Sequence, residues 1–325
     1  MHKSKPSQNE SNLFLVSRLQ AARRSREPTQ KSKPSLNESD LIQLTDLLNR
    51  LPACPVFWQN ARVLKPVAKY IGAIPNRLQL AGGWIDQPFV SRHNPKPPGS
   101  MVVVQIEPDF RPMERSGFAG GTRAVAMKLW KGKVPCRPRE ELVRELYAAE
   151  NKGKADPSGS QDMIGLIYPG INRLDYDFNH EGGVFPIHIE SCNRPAGARW
   201  LEKTLHLIPV EPRPEGYSPL GEKNLDPEWA AKLGQSGKDC FAAIVRRDAR
   251  ALGASLNLNM QCWEKLLPHV VRHPLIRVDL TALLKAYQRQ YFGAMYSGCG
   301  GGYLIVVSEK PVPGALKVNI RTAAK

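Results

Sequence analysis

The chain has 325 residues, a hydrophobic fraction of 42%, a charged fraction of 23% and a formal net charge of +16. This length and apolar share allow two ordinary domains with a substantial core. No run of about 18 uninterrupted apolar residues marks a membrane span, and Asn12–Val16 is too short for the h-region of a signal peptide, so neither is expected. The 6 cysteines lie scattered without a CxxC pair, which argues for reduced thiols in a cytoplasmic protein and against a zinc site or disulfide framework. The positive charge suits anionic ligands. It is spread along the chain with no zinc-finger, KH or RRM signature, so a nucleic-acid partner is not expected.

In chain order, residues 1–40 read as a basic tail, too poor in apolar side chains to offset chain entropy. Within it Lys3–Ser11 is echoed by Lys31–Ser39. Ser39 is a candidate N-cap for a helix over Asp40–Leu51, where leucines recur at helical spacing. A strand over Asn76–Leu80 enters the turn Ala81-Gly82-Gly83-Trp84, and Met101–Ile106 is a second, β-branched strand. A glycine-rich loop leads into a helix over Gly120–Trp130. A further helix is predicted over Pro138–Glu150, with Glu140 and Arg144 as an i,i+4 pair. Strand-like runs return at Val184–Ile189 and Leu205–Val210, joined by the Pro/Gly-rich connector Glu211–Leu220 to a mainly helical stretch from Asp226 to Val271. A helix over Asp279–Tyr291, the glycine run Ser297–Gly302 and the strand Tyr303–Val307 close the chain. Without a regular βαβ period, the fold class is α+β.

Three segments carry possible chemistry. Pro112–Thr122 is a small-residue loop running into a helix, where backbone N–H groups and the helix N-terminus favour an anion such as a triphosphate. A plain tight turn has the same composition. Asp162, in Ser160-Gln161-Asp162 at the head of an apolar helix, is a candidate general base; an acid in that place also compensates the helix dipole. The run Ser297–Gly302 lets backbone approach either a ligand or another segment closely. The histidines offer no metal site: His269 and His273, spaced i,i+4, lack the glutamate of HExxH and read as one helix face.

The order of these segments resembles the GHMP kinases, and within them the branch of fucokinases and heptose phosphate kinases. Arg77-Leu78-Gln79-Leu80-Ala81-Gly82-Gly83-Trp84-Ile85-Asp86-Gln87-Pro88 is similar to that branch's first motif. Ser116–Ala124 is similar to its phosphate loop, Gly159-Ser160-Gln161-Asp162 to the segment with the catalytic aspartate, and Phe292–Tyr303 to its third motif. The resemblance spans about residues 70–310 and implies two domains. Residues 41–190 would form a nucleotide-binding domain like ribosomal protein S5 domain 2, and residues 191–325 a ferredoxin-like C-terminal domain.

It further implies an ATP-dependent kinase, using Mg2+, that phosphorylates a hydroxyl of a sugar or sugar phosphate. Asp162 and Arg77 would be catalytic. Ser116, Gly117, Phe118, Ala119, Gly120, Gly121, Thr122 and Arg123 would bind ATP, with Thr122 also on the metal. Gly82, Gly83, Trp84, Asp86, Gly298, Cys299 and Gly300 would bind the sugar. The chain departs from the motif in the phosphate loop: Gly120-Gly121 stands where consecutive hydroxyls are usual, and Arg123 follows Thr122 in place of a small residue. A degenerate kinase that binds sugar or nucleotide as a sensor or interaction module is therefore the alternative reading.

Overall fold

The computed structural model describes residues 74–322; the expected tail, its repeat and the Asp40–Leu51 helix lie outside the described residues. Two antiparallel four-stranded sheets organise this part of the chain. The first has the order β1 (Asn76–Gln79), β2 (Gly99–Ile106), β3 (Ile171–Tyr176) and β4 (His188–Cys192). The second has the order β6 (Gly293–Gly298), β7 (Gly301–Val307), β5 (Leu205–Glu211) and β8 (Leu316–Lys317). Both belong to one compact unit. The central strands β2 and β7 are buried along their whole length, as their valine- and isoleucine-rich sequences dictate.

The helices between the strands are α1 (Pro88–Ser91), α2 (Gly120–Leu129), α3 (Arg139–Asn151), α4 (Gln161–Ile167), α5 (Pro195–Thr204), α6 (Pro227–Arg246), α7 (Ala249–Leu266) and α8 (Leu280–Gln290). The pair α6–α7 joins the two sheets. On α6, Gly237 lies so close to β2 that a Cβ would stand 1.9 Å from the Ser100 carbonyl oxygen. On α7, Gly253 meets Gly293 of β6 in the same way, backbone against backbone. Asp226 and Asp248 cap these helices through their carboxylates. No helix among the described residues is long and apolar enough to cross a membrane.

The structure corrects several sequence-based expectations. The strand expected over Val184–Ile189 starts later and runs further: the chain turns through Glu181, Gly182 and Gly183 at positive φ, and β4 pairs with β3 only from His188, continuing to Cys192. The helical stretch from Asp226 to Val271 breaks at Arg247, which is left-handed at φ 58. His269 and His273 do not share a helix face; they meet edge to face at 5.2 Å around a short 3-10 turn, Pro268–Val270. Strands β3 and β6 and helix α5 were not anticipated. Cys136, Cys192, Cys240, Cys262 and Cys299 are free thiols.

Candidate active site

Strand β1 aims the first functional side chain. Its residues alternate across the sheet, so Leu78 enters the core while Arg77 and Gln79 line a cleft of about 440 Å³. The Arg77 stem passes directly over Gly165 of α4, where a Cβ would stand 2.1 Å from the arginine Cγ. One turn earlier on the same helix face is Asp162, and Arg77 Nη2 donates to its Oδ1. Thr122, on the first turn of α2, donates through Oγ1 to Asp162 Oδ2 at 3.3 Å. Arg77 Nη1 donates to the Gly117 carbonyl at 3.4 Å, and Nε has no partner. Burial brings the guanidinium down to about 10, against the opposing attraction of Asp86, so it stays charged at neutral pH.

Asp86 follows the turn after β1. It is 1% exposed, and neither carboxylate oxygen has a side-chain partner. Gly159 makes room for it, since a Cβ there would lie 1.8 Å from Oδ2. Burial pushes the carboxyl up to about 6, opposed by the charge of Arg77 and by nearby backbone amides, those of Gln161 and Trp84 among them. Gln161 Oε1 is also buried and unpartnered. Trp84, at φ 82, lines the same cleft and tilts against Phe89 with centroids 6.0 Å apart. Two charged groups, an amide and an indole thus face one cavity with unmet hydrogen-bonding capacity, a composition suited to a polyhydroxylated ligand.

The two glycine-rich loops lock into each other. A Cβ on Gly117 (φ 85) would lie 2.3 Å from the Ser297 carbonyl oxygen, and one on Gly298 would lie 2.8 Å from Gly117 Cα. Ser297 Oγ donates to the Ser116 carbonyl at 2.6 Å and accepts from the Tyr303 amide at 3.0 Å. The density of glycine at Ser297–Gly302 is therefore accounted for in large part by chain-to-chain approach. By contrast, nothing lies within 4 Å of a Cβ placed on Gly120 or Gly121, so the opening of α2 is free.

The residues expected in the site thus divide. Arg77, Trp84, Asp86, Gly117, Asp162, Gly298 and Cys299 line the cleft together. Ser116 and Thr122 stand behind it, each bonded to a lining segment. Phe118 is packed inward, stacked on Tyr303 at 4.8 Å, and Ala119 occupies a left-handed conformation at φ 55. Arg123 sends Nε to the carbonyls of Ile74 and Pro75, at 3.2 and 3.1 Å, and does not line the cleft. Gly82 and Gly83 serve the fold: the Gly82 amide donates to Asn259 Oδ1 at 2.8 Å, and the Gly83 carbonyl accepts from Trp263 Nε1 at 3.0 Å. The Gly300 amide donates to the Val270 carbonyl at 2.8 Å.

Other lining residues were not anticipated, notably Gln79, Gln161, Arg92, Arg213 and Lys223. Arg213, from the connector after β5, donates through Nε to the Cys299 carbonyl at 2.9 Å and places a second positive charge near Arg77. Its only advance signal was the Pro/Gly-rich composition of that connector.

Mg2+ binds oxygen ligands and is usually held in kinases by one or two carboxylates plus substrate phosphates. Thr122 Oγ1 and the Asp162 carboxylate are adjacent. Glu150, whose charge acts on Arg77, keeps a buried oxygen without a partner. The Thr122 hydroxyl at the head of α2, next to the Asp162 carboxylate, fits Mg2+ arriving with a nucleotide. Among the described residues no cluster of three or more His, Cys, Asp or Glu forms a separate metal cage.

No family model matches the chain, and no curated protein matches it by sequence. Solved structures do. The chain is similar to Lactococcus lactis galactokinase complexed with galactose, at a TM-score of 0.54 and 13% identity, over 77% of this chain and 92% of that one. It is also similar to a D-glycero-D-manno-heptose 1-phosphate kinase from Bacteriodes thetaiotaomicron (TM-score 0.46, 13% identity, 76% and 96% covered). A mevalonate kinase gives a TM-score of 0.47 at 11% identity, over 77% and 98%. The likeness to the galactokinase establishes the class of the architecture: the chain has the α+β fold of the GHMP kinases.

Proposed function

We propose that the protein is an ATP-dependent kinase that transfers the γ-phosphoryl group to a hydroxyl of a sugar or sugar phosphate. The observation that carries this reading is the convergence of Arg77, Thr122 and Asp162 from three separate elements, with Arg77 and Asp162 on the cleft wall and Thr122 behind them. Shared fold does not imply shared activity; the chemistry available to these side chains supports the reading.

Asp162 presents a carboxylate to the cleft with Oδ1 tied to Arg77 and Oδ2 held only by the longer Thr122 bond. An acceptor hydroxyl that takes the place of Thr122 on Oδ2 is oriented by it and gives up its proton there. Arg77 fixes the carboxylate and sets positive charge beside the reacting oxygens, where phosphoryl transfer needs positioning and electrostatics more than covalent help. Asp86 and Gln161 accept hydrogen bonds from the other hydroxyls, and Trp84 offers an apolar face to the ring. The open helix entry at Gly120-Gly121 leaves space for the nucleotide phosphates. Thr122 would hold Mg2+ that arrives with the nucleotide, and the ion would supply charge neutralisation on the phosphates.

ADP release from ATP, measured across a panel of sugars and sugar phosphates with and without Mg2+, tests the reading. Turnover with one acceptor supports it. ATP or sugar binding without turnover on any acceptor would favour the degenerate kinase, a sensor built on the same cleft.

A further inference from the structure

The cleft holds more positive charge than its catalytic pair accounts for. Arg92, on the residue after α1, and Lys223, on the segment before α6, both line it, and both are exposed. Arg92 donates through Nε to the Pro88 carbonyl at 3.1 Å and lies over the Phe178 ring at 5.3 Å. Lys223 Nζ sits over the Phe89 ring at 4.9 Å. Neither makes a salt bridge among the described residues, although Asp156 lines the same cleft. Cations held by carbonyls and ring faces keep their charge available, and low-dielectric walls focus it on an incoming anion.

Their place in the cleft separates them from the nucleotide loop. Phe89 is the ring next to Trp84, at 6.0 Å, and Lys223 lies over Phe89 itself. Arg92 and Phe89 stand one turn apart on and just beyond α1, which begins two residues after Asp86. Gly117 and Arg213 belong instead to the wall formed by the interlocked glycine loops. A neutral sugar calls for acceptors and amides such as Asp86, Gln79 and Gln161, and leaves two cations unmatched.

Resting on the kinase reading above, we propose that the acceptor itself carries a phosphate group, held between Arg92 and Lys223 beyond the sugar subsite. A phosphate monoester is nearly a dianion at neutral pH and matches two cations, a guanidinium offering paired donors and an ammonium acting as a point charge. A carboxylate carries only one negative charge and two oxygens.

The test is titration calorimetry without nucleotide, using a hexose 6-phosphate, a hexose 1-phosphate, the parent hexose, a hexuronate and inorganic phosphate, with ATP titrated separately. One of the hexose phosphates is expected to bind at least about tenfold more tightly than the hexose, a difference of about 1.4 kcal/mol. Lys223→Met with Arg92→Met is expected to remove that advantage while ATP affinity changes less than about twofold. Equal affinity for hexose and hexose phosphates overturns the proposal. So does tighter binding of the hexuronate, or a double variant that weakens ATP alone. A protein that binds the hexose phosphate through these two residues but never turns over ATP retains the anion subsite and loses the kinase reading.

Discussion

The hydroxyl of Ser297 donates to the carbonyl of Ser116, joining two glycine-rich loops that lie 181 residues apart. Ser297 is 1% exposed and also accepts from the Tyr303 amide. Ser297→Ala leaves a buried carbonyl and a buried amide without their partner, at a cost of about 1–3 kcal/mol. It also loosens the wall that carries Gly117. Chemical denaturation should report the stability loss, and KM for ATP should rise more than KM for the acceptor.

The glycines of the phosphate loop should separate sharply when each is changed to alanine. Gly117→Ala sets a Cβ at positive φ against the Ser297 carbonyl, a strained and overlapping arrangement expected to cost more than about 2 kcal/mol. Gly121→Ala meets nothing within 4 Å and lies in the first turn of α2. There it should leave stability unchanged or raise it by about 0.5–1 kcal/mol, while weakening ATP binding if phosphate approaches that backbone. Melting temperature and ATP affinity, measured on the same two variants, check both halves.

Gly165 serves Arg77 rather than the helix it belongs to. Alanine would favour α4 by about 1 kcal/mol on propensity, but its Cβ would occupy the path of the Arg77 stem. Gly165→Ala should therefore stay folded and lose at least tenfold in kcat, with KM for ATP little changed. A variant with wild-type kcat would show that Arg77 need not lie where α4 puts it.

Asp86 predicts a pH signature. Its carboxyl titrates near 6 in the folded protein, above its ordinary value of 3.8. Between these values the folded state holds the proton that the unfolded state has released, so this group lowers stability as pH rises from about 4 to 6. The full penalty, about 3 kcal/mol at most by linkage, is present above pH 6. Asp86→Asn should accordingly raise the melting temperature more at pH 8 than at pH 4. The same change should weaken sugar binding at pH 8, because an ionised acceptor is lost, and wild-type acceptor affinity should itself fall as pH drops below about 6.

Much of this arrangement was legible in the sequence, for reasons that can be named. Arg77, Asp86 and Asp162 sit in short motifs whose residue types are dictated locally: a strand entering a turn, and an acid at a helix start. Strand β3 was not legible, because Asn172, Arg173 and Asp175 break its apolar pattern. They are tolerated there because Asn172 meets Ser191 at 2.5 Å and Arg173 meets Asp175 at 3.0 Å. Strand β6 was hidden by small residues that exist to admit α7 at Gly253. The expected role of Arg123 could not be judged from its position after Thr122, since the direction of its side chain depends on where Ile74 and Pro75 pass. Arg92, Arg213 and Lys223 are brought to the cleft by tertiary packing alone, and no local pattern announces them.

The central claim is that Asp162 takes a proton from an acceptor hydroxyl while Arg77 holds it in place. Asp162→Asn keeps an oxygen for Arg77 and removes the base, so it isolates the chemistry from the fold. Phosphoryl transfer should be followed for wild type and this variant on whichever sugar or sugar phosphate gives turnover, with ATP affinity measured alongside. The account predicts a fall in kcat of at least about 100-fold with ATP affinity nearly unchanged. A variant that transfers phosphate at the wild-type rate would contradict it.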